Sequence, residues 1–207
     1  MTRSLCTTPA RAVPLLALSL FALAAGPRAV DAADDGDAMR AAPSITEKLA
    51  RGKYLVTVAG CNDCHTPFKL GADGPEPDMS RMLSGHPENM ALPPAPKLPD
   101  GPWLISVAAT NTAWSGPWGV SYTANLTPDR DTGLGKWTQR TFTDAIRTGR
   151  HMGRGRPILP PMPVAMYKHF TDPDLEAIFA YLQSIPAVKN RVPEPLPPAA
   201  PLAVRNP

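Results

Sequence analysis

Two cysteines and a histidine fall within one short run, Cys61-Asn62-Asp63-Cys64-His65, just past a helical stretch. A C-x-x-C-H run of this kind suits covalent attachment of a c-type haem. Thiols three residues apart can both add across the vinyl groups of one porphyrin edge. His65 then lies under the iron, where a ring nitrogen can serve as the proximal ligand. Two other chemistries use C-x-x-C pairs. A thioredoxin-like redox pair needs a surrounding βαβ pattern, and none is present. A four-ligand zinc site needs a second Cys or Cys/His pair at knuckle spacing, which the chain lacks.

One histidine leaves the far side of an iron open, and the ligand there decides between electron transfer and catalysis. Met162 is the best candidate, in Pro160-Pro161-Met162-Pro163. Flanking prolines fix the chain and remove backbone donors, so a stiff loop can hold a thioether in place. A lone methionine is more often core filler, and the proline frame sets this one apart. Met152 sits in a glycine- and arginine-rich turn, and Met166 lacks the flanking prolines. His86, His151 and His169 would each give a bis-histidine iron, although isolated histidines are usually exposed or hydrogen-bonded.

Helices must position these groups. Ser44-Ile45-Thr46-Glu47 is a capping box, so a helix is expected from Ile45 to about Ala59, with Gly60 ending it against the C-x-x-C-H run. Thr138 can cap a second helix to about Thr148, with Phe142, Ala145 and Ile146 as its stripe and Gly149 after it. Thr171-Asp172-Pro173-Asp174 starts a third, and Leu175, Ile178, Phe179 and Leu182 mark its buried face before Pro186 stops it. Between the first two helices, residues 66–120 hold ten prolines and no helix of ordinary length. Leu104 to Ala109 has the composition of a short strand. Trp103, Trp114 and Trp118 in this region are expected to pack over a haem edge or a partner surface.

Longer motifs carry a family resemblance. Tyr122-Thr123-Ala124-Asn125-Leu126-Thr127-Pro128-Asp129, Thr132-Gly133-Leu134-Gly135-Lys136-Trp137-Thr138 and the Pro-Met-Pro run resemble the haem domains of bacterial dehydrogenase cytochrome c subunits. The order of helix, C-x-x-C-H, long loops, Pro-Met-Pro and terminal helix looks like a class I c-type cytochrome. The resemblance covers residues 45–186. It implies an all-α class I fold of about three main helices around one covalent haem, with His65 and Met162 as axial ligands. It also implies that Asn125, Leu126 and Trp137 lie close to the porphyrin. Those subunits often carry several C-x-x-C-H motifs, whereas this chain has one.

Composition sets the remaining bounds. Arg3 and Arg11 precede an apolar run from Leu15 to Ala25, too short to span a bilayer, and Val30-Asp31-Ala32 offers a cleavage site. Residues 1–32 therefore read as a signal peptide for the periplasm, 33–43 as a flexible leader, 44–185 as the haem domain and 186–207 as a proline-rich extended tail. Cys6 would leave with the signal, so no cysteine remains for a disulfide. Removing residues 1–32 lowers the net charge from +3 to about +1, which is no argument for nucleic acid. Arg147, Arg150, Arg154 and Arg156, with Lys168, form a basic segment suited to haem propionates or to steering an acidic partner. The expected role is an exported mono-haem carrier of single electrons, not itself an enzyme, between a dehydrogenase donor and an oxidase or second cytochrome. One form of that role is the electron-transfer subunit of a dehydrogenase at the inner membrane. The rivals are a peroxidase-like or sulfur-oxidising haem catalyst, with His151 as its acid-base group, and a five-coordinate haem sensor.

Overall fold

The computed structural model describes residues 42–98 and 101–198. The expected signal peptide, and the leader up to residue 41, lie outside them. Helix α1 spans Ile45–Val58 and carries the full capping box. Glu47 N–H donates to Ser44 Oγ at 3.3 Å, and Ser44 N–H donates back to the Glu47 carboxylate at 2.8 Å. Two of the N-terminal amides that a helix cannot satisfy internally are thereby paired. A single helical turn, α2, follows at Cys61–His65. Helix α3 spans Gln139–Thr148, with Thr138 accepting from the Thr141 amide at 3.1 Å. After the short α4, Val164–Tyr167, helix α5 runs over Asp172–Ser184 from a Thr171 cap.

The expected all-α class I arrangement is overturned. The chain is mixed α/β, because the proline-rich stretch after α2 folds into two small antiparallel sheets. Strands β1 (Phe68–Gly71) and β2 (Gly74–Pro77) form a hairpin. A second sheet has the order β3-β4-β5, from Ser106–Val107, Ala113–Gly116 and Gly119–Tyr122. Prolines exclude helix but not these strands. Pro75 and Pro77 sit in a two-stranded ribbon, where every strand is an edge. Pro117 sits in the turn between the paired Gly116 and Gly119, a position that suits its fixed φ. The strand expected over Leu104 to Ala109 is present only at its centre, as β3.

The apolar stripes of the three main helices meet in one core. Leu55 and Val56 of α1, Phe142 and Ile146 of α3, and Leu175, Ile178, Phe179 and Leu182 of α5 are all buried there. Phe142 and Phe179 lie with ring centroids 5.3 Å apart. The closest approach is between α1 and α5. A Cβ added at Gly52 would stand 2.0 Å from the Ala177 carbonyl oxygen and 2.7 Å from Tyr181 Cβ. Only a hydrogen fits. Two exposed ion pairs flank the crossing, Arg51–Asp174 at 2.9 Å and Lys48–Glu176 at 3.1 Å. Pairs of this kind add at most about 1 kcal/mol each.

Residues 186–198 run extended along the body. Val120 and Leu196 exchange backbone hydrogen bonds of 3.0 and 2.9 Å, and Asn190 is fully buried.

The crossing yields a test. In an open helix, Gly→Ala gains about 1 kcal/mol. Here Gly52→Ala must push the helices apart, so stability should fall by about 2 kcal/mol, read from urea denaturation. A midpoint equal to or above that of the parent would show that the crossing relaxes freely.

Candidate haem site

Gly60 turns the chain out of α1 at φ +70, a conformation that suits glycine, and α2 begins at once. Cys61, Cys64 and His65 stand at i, i+3 and i+4, so they share one face of the turn. Asn111 fixes this turn from outside, its side-chain amide donating to the Asp63 carbonyl at 2.6 Å. Burial pushes the Cys61 thiol up to about 11, and burial also raises Cys64, with the Asp63 charge adding to both. Both thiols are free and stay protonated near neutral pH. A catalytic redox pair shows the opposite, a depressed thiol.

The face opens into a mostly apolar cavity of about 580 Å³, within the usual range for a bound small molecule or cofactor. His65 is 8% exposed, and its Nδ1 lies 2.7 Å from the Ala124 carbonyl oxygen. A carbonyl only accepts, so Nδ1 carries the proton and Nε2 keeps its lone pair. Burial also holds the imidazole below its ordinary pKa. The result is a neutral, oriented ring with a free nitrogen, the state of a histidine ready to ligate a metal.

Met162 lines the same cavity from another part of the chain. Ile158 N–H donates to the Gly149 carbonyl at 2.8 Å, and Ser121 Oγ donates to the Pro160 carbonyl at 2.6 Å, so the loop is tied to α3 and β5. On the far side of Met162, the Tyr167 hydroxyl donates to the Ala59 carbonyl at the end of α1. Burial, followed by the neighbouring Cys61, Cys64 and Asp63, pushes this phenol up to about 12, so it remains a donor. No local motif announces the bond, which joins residues 108 positions apart.

Asn125, Leu126 and Trp137, which the resemblance implies lie near a porphyrin, also line the cavity with Cys61, Cys64, His65 and Met162. Asn125 has a second task. Its Nδ2 donates to the Val188 carbonyl at 2.8 Å, and its Oδ1 accepts from the Thr127 amide at 3.0 Å. His86 is fully buried elsewhere, with Nδ1 2.9 Å from Thr112 Oγ1 and Nε2 3.2 Å from the Met90 carbonyl, so both ring nitrogens are used. His169 and Met166 do not line the cavity. His151 does, edge-on to Trp137 with centroids 5.4 Å apart.

Other residues of interest in the sequence lie mostly outside the cavity. Trp103, Trp114 and Trp118 do not line the cavity, and Trp103 is 75% exposed. Trp114 lies in β4, and Trp118, in the turn between β4 and β5, donates its indole N–H to Ser121 Oγ at 3.3 Å. Most of the basic segment also lies outside the cavity lining. Arg147 pairs with Asp172 at 2.5 Å, and only Arg156 reaches the cavity, where it meets Glu194 at 3.3 Å. Sequence reading missed the other rim cations. Lys136 is paired with Asp131 at 2.8 Å, while Arg130 and Arg191 have no ion-pair partner among the described residues. Among the described residues, no group of three or more His, Cys, Asp or Glu side chains is arranged to hold a bare metal ion. The donor set is two thiols, an imidazole nitrogen and a thioether around an apolar cavity, and it fits a haem.

No family model matches the chain. It is similar to the cytochrome c subunit of the quinone alcohol dehydrogenase of Gluconacetobacter polyoxogenes, with 32% identity over 154 residues, covering 71% of this chain and 26% of the relative. It is 28% identical over 153 residues to the fructose dehydrogenase cytochrome subunit of Gluconobacter japonicus, covering 71% of the chain and 24% of the relative. A third relative is the gluconate 2-dehydrogenase cytochrome c subunit of Pantoea cypripedii, 27% identical over 133 residues, covering 64% and 22% respectively. The chain thus spans about a quarter of the length of the cytochrome subunits it matches. Its relationship is of the cytochrome c type, with the cytochrome subunits of bacterial dehydrogenases as its relatives.

Proposed function

We propose that the chain is an exported, mono-haem c-type cytochrome that carries single electrons for a periplasmic or membrane-associated dehydrogenase. The observation that carries this reading is the neutral, oriented His65 beside two protonated thiols, in a cavity that Met162 also lines. Cys61 and Cys64 would hold the haem covalently, His65 and Met162 would ligate its iron, and Arg130 and Arg191 would be cations available to its carboxylates. When bound, the haem supplies one-electron chemistry at its iron, and a thioether ligand favours the ferrous state. The chain's own contribution is to hold the ligands, exclude water and limit rearrangement between oxidation states. Among the described residues no helix is long and apolar enough to cross a membrane.

Haem should remain bound after denaturation at one equivalent per chain, and Cys61→Ala with Cys64→Ala should abolish this, as read by a pyridine haemochrome spectrum. Covalent haem persisting in the double variant would sink the assignment. Met162→Ala should remove the weak near-red sulfur-to-iron band, lower the potential and open the iron to cyanide and carbon monoxide. If that variant leaves all three unchanged while His151→Ala alters them, the cavity instead serves a histidine-ligated iron. Tyr167→Phe removes a hydrogen bond worth about 1.4 kcal/mol from the tie between the Met162 loop and α1. Cyanide affinity should then rise about tenfold with the haem still attached. An unchanged affinity would mean that the loop holds Met162 without the tie.

A further inference from the structure

The segment between α3 and the Met162 loop contains a local conflict. Arg150 and Pro157 form an isolated antiparallel bridge, and the chain reverses between them. At the reversal Met152 has φ 53 and ψ 27, Gly153 has φ +79, and Arg154 N–H donates to the His151 carbonyl at 3.3 Å. Two successive left-handed residues make this a type I′ turn, whose first central position favours Asn, Asp or Gly. Gly153 meets the rule at the second position. Met152 breaks it at the first.

The surrounding bonds hold the turn in this shape. Gly155 N–H donates to the His151 carbonyl at 2.8 Å, and Thr148 Oγ1 donates to the Gly153 carbonyl at 3.0 Å. Core packing does not explain the methionine, because its side chain is 44% exposed at the wall of the cavity. A residue kept against local backbone preference, at the mouth of a site, points to a task at that site.

The charges beside it are equally specific. Arg140, Arg147 and Arg156 are each paired with an acid, at 3.6, 2.5 and 3.3 Å. Arg150 donates only to the Gly155 carbonyl, at 3.0 Å, and Arg154 has no ion-pair partner among the described residues. The hairpin therefore carries two guanidinium groups without an ion-pair partner among the described residues, Arg150 at its base and Arg154 at its turn, in the same segment as an exposed thioether. Arginine and methionine are both enriched at the centres of protein interfaces. Nucleic acid or an anionic bilayer would call for cations spread along a track, whereas these two sit within five residues at one point.

We propose that the hairpin of residues 150–157 is the docking tip through which an acidic redox protein meets the cavity. Arg150 and Arg154 steer the encounter, and Met152 makes the contact nearest the buried group. The proposal rests on the haem reading above and adds the surface and the charge of the partner. Rim charges act mainly on the association rate and its salt dependence.

The test uses the haem-loaded protein and reduced flavodoxin, an acidic one-electron flavoprotein, as the probe. One electron passes from the flavin hydroquinone to the oxidised haem, leaving the flavin semiquinone and the ferrous protein. Arg150→Glu with Arg154→Glu should slow this transfer about tenfold at low ionic strength, and the deficit should close as salt rises. The midpoint potential should not move, since neither side chain lines the cavity. Met152→Asn suits the turn, so its thermal midpoint should equal or exceed that of the parent. Its transfer rate should nevertheless fall several-fold at every salt concentration. Rates within twofold of the parent for both variants at low salt would overturn the docking tip. A lowered thermal midpoint for Met152→Asn would make Met152 a packing residue and overturn its contact role. A parent protein without redox-active covalent haem would overturn the underlying reading, and this would be visible before any flavodoxin is added.

Discussion

The contact between Gly52 and the backbone of Ala177 sets the frame for the site. It lets α1 and α5 approach more closely than any side chain would permit. Helix α1 leads through Ala59 and Gly60 directly into the turn bearing Cys61, Cys64 and His65. Helix α5 begins shortly after the loop bearing Met162. One helix crossing thus fixes the relative placement of two walls of the cavity, and the Tyr167–Ala59 hydrogen bond adds a second tie near the same end of α1. Because interiors are close-packed and yield little, a change at Gly52 would reach the cavity without touching it.

Hydrogen bonds, more than apolar burial, order the long loops. Buried backbone groups outside regular structure still require partners. The Asn190 side chain supplies three and pairs a guanidinium as well. Its Nδ2 donates to the carbonyls of Ser84 and His86 at 2.7 and 2.8 Å, and its Oδ1 accepts from the Glu88 amide and Arg81 Nη2, both at 2.9 Å. Asn125 does the same between the 125–132 loop and Val188. Two asparagines and the buried His86 thereby hold a region whose prolines cannot contribute donors of their own.

This division explains what the chain's sequence made legible. The capping box at Ser44, the caps at Thr138 and Thr171, and the apolar stripes of α3 and α5 are local signals, and each helix forms where they indicate. Cys61, Cys64, His65 and Met162 could be proposed from short motifs with their own chemistry, whereas Asn125, Leu126 and Trp137 came only from the family resemblance. The sheets were not. The strands are two to four residues long, and β2, Gly-Pro-Glu-Pro, is half proline, so their pairing is not written in any period. Asn190 and Tyr167 were invisible because their partners lie more than a hundred positions away. The ion pairs within the basic segment were illegible for a related reason. Adjacent arginines share a sequence neighbourhood, but Asp172 and Glu194 reach two of them from distant elements.

The extended segment after α5 bears on how the interior is filled. Residues 191–195 form part of the cavity wall, and they are held there by Asn190 on one side and the Val120–Leu196 pairing on the other. A polypeptide emerges from its N-terminal end, so Cys61 and His65 are available long before this last wall arrives. Without residues 191–195 the cavity would lack one flank of its wall, and a rigid planar group could enter from that side with no hinge required in the finished protein.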